Sequence, residues 1–285
     1  EDVVQGFFCD VLRKELFAHR RELLLWSSWG LIMAAVSVVI IWYGGTLYLK
    51  GGAYIEVRLG LRSRAPQDIA PLFRGDFDDF IGVLDSTLAE SWGAIELERT
   101  EVATIEGARR VIKPCRFKVK LLVNGQTWRS IDVEASADEG SAGSQVDLFA
   151  GPPLGYFGLP SPVEFAGIVF DYQVAQKLHA CTDPHEPPDQ LNERARDLVD
   201  LLLIRETFYR DDTDLAALHA ACVDLFAARA GDAQALGIEN RAWPPTVQAH
   251  DHWQTDFAAA AGDQDLTLDD AVAQVNNWIQ RIDAS

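Results

Sequence analysis

Leu49-Lys50-Gly51-Gly52-Ala53, followed by Arg62-Ser63-Arg64-Ala65-Pro66-Gln67-Asp68-Ile69-Ala70, is the stretch that decides how this chain folds. A glycine pair closing a strand lets backbone N–H groups come close to a phosphate chain, since neither residue carries a Cβ. An acidic strand next to it is the place for metal ions that polarise those phosphates. An Asp-x-Asp pair would put two carboxylates on one strand face. Here the first is Asp68 and the second position is Ala70.

Working outward, residues 3–22 read as an amphipathic helix, Ala53–Gly60 as a short helix after the glycine pair, and Gln67–Phe73 as a strand. Asp76 heads a helix running through Phe77, Phe80, Ile81 and Leu84 to Leu88, its acidic first turn matching the helix dipole. Ile95–Ile105, Ala108–Val123 and Gln126–Ala135 alternate or are rich in β-formers, with Asn124-Gly125 as a two-residue hairpin turn. A Gly-, Ser- and Pro-rich loop from Ala137 to Pro162 then precedes a half without strand signals. Pro162–Thr182, Leu191–Phe208, Asp214–Ala230, Thr246–Ala261 and Leu266–Ile282 carry apolar residues at helical spacing, and Trp243, Trp253 and Trp278 are expected to close their core. The expected class is α+β: a mixed sheet with helices over residues 1–150, then an all-helical domain over 151–285.

A chain of 285 residues, 48% apolar and 24% charged, can bury a sizeable core and has the composition of an ordinary globular protein. Cys9, Cys115, Cys181 and Cys222 are dispersed without a Cys-x-x-Cys pair, which fits a reducing cytoplasm and gives no zinc or redox centre. His179, His185, His219, His250 and His252 form no ligand set at metal spacing. Leu23–Leu49 lacks charged residues and has the length of a membrane span. Its interruptions at Ser27-Ser28, Gly30 and Gly44-Gly45, and the β-branched run Val36-Ser37-Val38-Val39-Ile40-Ile41, weigh for a buried helix followed by a strand.

Charge is uneven. Residues 1–130 hold 17 Lys and Arg against 16 Asp and Glu, while residues 131–285 hold 8 against 27. Either the two parts face different partners, or only the first faces a polyanion. Its basic cluster comprises Arg109, Arg110, Lys113, Arg116, Lys118 and Lys120, the last three on one face of a strand. That row suits RNA phosphates, and it equally suits a solvated sheet face.

Two helical patches complete the pattern: Gln173-Val174-Ala175-Gln176-Lys177-Leu178-His179-Ala180, and Arg194-Ala195-Arg196-Asp197-Leu198-Val199-Asp200-Leu201. Alone, Lys177 reads as a surface lysine and Arg196 with Asp200 as an i,i+4 helix pair. Taken in order, the Lys-Gly-Gly, the Arg…Asp-Ile strand, Ile131-Asp132-Val133, the lysine helix and the Arg-x-Arg-Asp helix resemble the AbiEii/MenT nucleotidyltransferase toxins, over about residues 45–205.

The resemblance implies a nucleotidyltransferase fold of the DNA polymerase β type, completed by the helical domain. It implies a toxin of a toxin–antitoxin or abortive-infection system, held by a cognate antitoxin. The reaction would be Mg²⁺- or Mn²⁺-dependent transfer of NMP from an NTP to an RNA acceptor such as the tRNA 3′ end, in the cytoplasm. Gly51 and Gly52 would cradle the phosphates with Arg64, Arg194 and Arg196; Asp68 and Asp132 would hold metal; Lys177 would neutralise the triphosphate, and Asp197 would be the acid of the second helical motif. Ala53 and Ala70 depart from the family pattern, which usually has a hydroxyl residue and a second Asp there. Losing that Asp implies impaired turnover, or a silent member that works by binding antitoxin or RNA.

Overall fold

The computed structural model describes residues 47–59, 68–91, 95–150, 164–183, 191–210, 213–262 and 265–285. The helix expected over residues 3–22, residues 23–46 of the apolar stretch, and Arg64 lie outside them. Among the described residues, no helix is long and apolar enough to cross a membrane.

The chain divides into two compact units. One takes residues up to Ala108, Ile112–Asp138 and Val146–Gly167; the other takes Arg109–Val111, Glu139–Gln145 and Ile168–Ser285.

The first unit is built on a mixed sheet of eight strands: β1 (Leu47–Lys50), β2 (Asp68–Phe73), β3 (Glu96–Arg99), β4 (Ala103–Thr104), β5 (Cys115–Val123), β6 (Gln126–Ala137), β7 (Val146–Ala150) and β8 (Glu164–Ile168). Their order is β3-β5-β6-β2-β1-β8-β7, with β4 paired to β5. β5 and β6 form the expected hairpin, and Asn124 and Gly125 both take positive φ, as a primed turn demands. β2 lies antiparallel to β1 and parallel to β6.

Alternation along β5 gives the sheet a dry and a wet face. Cys115, Phe117, Val119, Leu121 and Val123 are buried, while Arg116 and Lys118 are exposed. Phe117 lies opposite Val133, which lies opposite Ile69, so one apolar row crosses three strands. Helix α1 (Gly51–Leu59) follows β1 directly, and α2 (Phe77–Leu88) starts at Asp76, whose carboxylate accepts the Asp78 N–H at 2.8 Å. Phe80, Leu84 and Leu88 of α2 are buried, and Phe80 stacks on Phe73 with ring centroids 5.1 Å apart.

Two strands arise where sequence pattern offered none. β7 lies in the segment expected to be loop, and β8 occupies the start of the helix expected from Pro162. Both are only five residues long, too short to show a period, and Gly167 makes β8 look like a breaker. A glycine is required there. A Cβ at residue 167 would stand 2.4 Å from the Tyr54 ring of α1.

The second unit contains the helices α3 (Phe170–Thr182), α4 (Ala195–Phe208), α5 (Ala216–Leu236), α6 (Trp253–Ala261) and α7 (Leu268–Asp283). α3 packs on α4 and α5, and α4 on α6 and α7. Trp253 and Trp278 are fully enclosed, whereas Trp243 is only half-buried. Its indole N–H donates to Asp283 at 2.9 Å.

Candidate functional site

β1 passes into α1 without a linker. Gly51 makes the junction at φ +67, in the left-handed region that favours glycine, and a Cβ there would sit 3.5 Å from the Ala70 Cβ. The first N–H groups of the nine-residue α1 are thus presented beside position 70 of β2. The helix begins at the glycine pair itself, two residues earlier than its expected start at Ala53.

Asp68 and Asp132 are register partners on the parallel strands β2 and β6. Partners in adjacent strands project to the same face, so the two carboxylates expected to cooperate stand side by side. Both are half-buried. Position 70 belongs to the same face, with Lys50 of β1 as its register partner.

Cations surround these acids. Lys118 Nζ donates to Asp132 Oδ1 at 2.7 Å. Arg116 Nε donates to Glu134 Oε1 at 2.8 Å, and Lys120 Nζ lies 3.7 Å from Glu98. Lys50 Nζ donates to Ser136 Oγ at 2.7 Å. The wet face is therefore a ladder of alternating charge, and the basic row on β5 is matched acid for base. Of the other cluster members, Arg110 pairs with Glu139 and with Asp232 (2.5 Å), and Lys113 Nζ donates to the carbonyls of Glu106 and Ala108 at 3.1 and 2.6 Å.

Mg²⁺ binds through one or two carboxylates, waters and substrate phosphate oxygens instead of a cage of protein ligands. The Asp68–Asp132 pair beside a helix N-terminus fits that pattern. It does not form a cage: among the described residues no group of three or more His, Cys, Asp and Glu side chains is placed to hold an ion. Glu134 follows Asp132 on the same face, but its Oε1 is already held by Arg116.

In the helical unit, Lys177 of α3 donates from Nζ to Asp197 Oδ1 at 2.6 Å and to Asp200 Oδ2 at 2.8 Å. All three residues are buried. Burial alone would lower the lysine pKa; the two carboxylates outweigh it and hold the ammonium charged, with its pKa raised. For Lys177 to reach a triphosphate, phosphate oxygen would have to replace one of these carboxylates.

The i,i+4 pair of Arg196 with Asp200 does not form. Asp200 faces Lys177, and Arg196 lies 3.8 Å from Asp256 of α6. Arg194, 60% exposed, lies 4.0 Å from Asp197 Oδ2 and so sits at the solvent edge of the buried triad. Asp200 is thus a member that sequence reasoning gave to a surface pair; its spacing of three from Asp197, on one helix face, was the available signal. Lys50, part of the Lys-Gly-Gly run, had no role of its own in that reading; its ammonium lies on the same sheet face as Asp132 and bonds Ser136.

A further group supports α1 from below. The Tyr54 hydroxyl donates to Asp147 of β7 at 2.8 Å, and Arg58 lies 3.1 Å from the same carboxylate. Burial first, then the bond to Asp147, raise the phenol pKa well above its usual value. Tyr54 is therefore an anchor for the helix.

Residues 42–281 match the family described as nucleotidyl transferase AbiEii toxin, type IV TA system. Among solved structures, the fold is similar to MenT4, a nucleotidyltransferase toxin from Mycobacterium tuberculosis H37Rv, at 14% identity and a TM-score of 0.55, covering 95% of this chain and 98% of that one. It is also similar to a putative nucleotidyltransferase from H. pylori, at 14% identity and a TM-score of 0.50, covering 90% of this chain and 95% of that one. No curated protein matches the sequence.

Proposed function

Because the chain belongs to the AbiEii nucleotidyltransferase toxin family, we propose that it transfers NMP from an NTP to an RNA acceptor, with the tRNA 3′ end as the foremost candidate. The observation that carries this reading is the register of Asp68 with Asp132 next to the glycine turn at Gly51. Paired carboxylates and a helix N-terminus are the parts that phosphoryl transfer requires, since its catalysis is largely positioning and charge stabilisation.

In the step itself, an RNA hydroxyl oxygen bonds to the α-phosphorus and loses its proton to solvent or a base. The bond from that phosphorus to the β-phosphate bridging oxygen breaks, and pyrophosphate leaves. Gly51 and Gly52 offer backbone N–H groups to the phosphates, with Arg64 as a further cation. Asp68 and Asp132 hold a divalent ion, Mg²⁺ or Mn²⁺, which supplies charge neutralisation at the phosphate oxygens. The type IV toxin–antitoxin family implies a cognate antitoxin as partner, and the NTP and RNA substrates place the reaction in the cytoplasm.

A second reading, a silent member that works by binding antitoxin or RNA, is favoured by one observation: Ala70 stands where the family's second carboxylate belongs. Losing a metal ligand could cost several kcal/mol of transition-state stabilisation, or on the order of 10²- to 10³-fold in rate. Comparing the chain with its Ala70→Asp form in nucleotide binding and in transfer to tRNA separates the two. Transfer by the unaltered chain, raised in Ala70→Asp, supports the enzyme; nucleotide binding without transfer in the unaltered chain supports the silent member.

A further inference from the structure

The wet sheet face differs from a two-ion site in two ways that act together. Position 70 has lost a carboxylate, and a lysine stands on the neighbouring one: Lys118 Nζ bonds Asp132 Oδ1 at 2.7 Å. A site with three carboxylates and two divalent ions carries one net positive charge towards the phosphates. Two carboxylates, one divalent ion and one ammonium sum to the same charge. Removing an Asp and adding a Lys therefore offsets the loss of one whole divalent ion.

We infer that this site holds a single divalent ion, at Asp68 and Asp132, and that the Lys118 ammonium takes the charge-neutralising place of a second. The inference rests on the nucleotidyltransferase reading above and specifies how the chain's own residues carry it. Three observations support it. Glu134 does not replace the missing acid, because Arg116 already holds its Oε1 through two guanidinium nitrogens. The Lys118 bond takes only Oδ1 of Asp132, and a carboxylate has a second oxygen to offer. Lys118 and Asp132 are 53% and 43% exposed, so the pair contributes little to folding and the ammonium is open to an incoming phosphate.

Mn²⁺ titration of the full chain with a non-hydrolysable NTP analogue tests this, with bound Mn²⁺ counted by electron paramagnetic resonance and nucleotide affinity by calorimetry. The expected result is one Mn²⁺ per chain, nucleotide affinity about tenfold weaker in Lys118→Ala through loss of one close charge, and two Mn²⁺ in Ala70→Asp/Lys118→Ala. Lys118→Arg, which keeps the charge, should retain most of the affinity. Two Mn²⁺ in the unaltered chain, or undiminished affinity in Lys118→Ala, would overturn the role of Lys118 while leaving the nucleotidyltransferase reading intact. No Mn²⁺ in either the unaltered chain or Ala70→Asp/Lys118→Ala would overturn both. The substituted side chains stand on a solvent-facing strand surface, and circular dichroism confirms that each variant is folded.

Discussion

Asp68 on β2 and Asp132 on β6 face each other as register partners of a parallel strand pair, beside the glycine turn that opens α1. Asp68→Asn or Asp132→Asn should leave the sheet standing, since both side chains are half-buried on its wet face. Each should lower nucleotide transfer on the order of 10²-fold or more, through loss of a charge at the ion. Transfer within twofold of the parent in either variant would remove that residue from the site.

Lys177 is the opposite case, a buried charge whose partners depend on it. Lys177→Met removes the buried ammonium that Asp197 and Asp200 share, and breaking a buried pair from one side costs about 3–5 kcal/mol. Urea denaturation should show a midpoint shift of that size, and Lys177→Met/Asp197→Leu/Asp200→Leu should recover a large part of it. A shift below about 1 kcal/mol would mean that the triad is not a structural unit.

How far these sites were legible differs with the signal behind them. The hairpin at Asn124-Gly125 and the helix capped by Asp76 follow from local chemistry, turn residues and a cap; the side-by-side carboxylates join strands distant in sequence and were expected through the family resemblance alone. β7 and β8 were not legible, because short strands are defined by the neighbours they pair with. The residues alone showed the Lys177 triad as two separate helical patches, and the resemblance gave Lys177 and Asp197 roles at the nucleotide without a bond between them, since the pairing joins residues 20 and 23 positions apart on different helices. Likewise the β5 cations showed in the sequence, but the acids that match them lie on β3 and β6.

His179 sets an acid limit. Burial, with Arg229's positive charge second, holds its imidazole at about 3 against an ordinary 6.5. As pH falls below 6.5 the unfolded chain gains a proton that the folded chain refuses until about pH 3, so stability falls across that window. The slope from this residue is at most about 1.4 kcal/mol per pH unit. Between pH 6.5 and 5, before most carboxylates titrate, His179→Phe should flatten the fall. An unchanged slope there would assign the acid sensitivity elsewhere.

For RNA, the matched charges on β5 limit what the row can do. Replacing Arg116, Lys118 and Lys120 together by Gln should weaken tRNA binding and flatten the salt dependence by at most about three units of log–log slope. A slope identical to the parent's would make the row a solvated sheet face and send RNA to another surface.

Nucleotidyl transfer is tested most directly by following two labels. The protein is incubated with tRNA and NTPs labelled at either the α- or the γ-phosphate, in parallel for the unaltered chain, Ala70→Asp and Asp68→Asn. The expected result is α-label joined covalently to the RNA, γ-label released as pyrophosphate, more transfer in Ala70→Asp than in the parent, and none in Asp68→Asn. Absence of α-label on RNA in both the parent and Ala70→Asp, or γ-label found on the RNA, would contradict it.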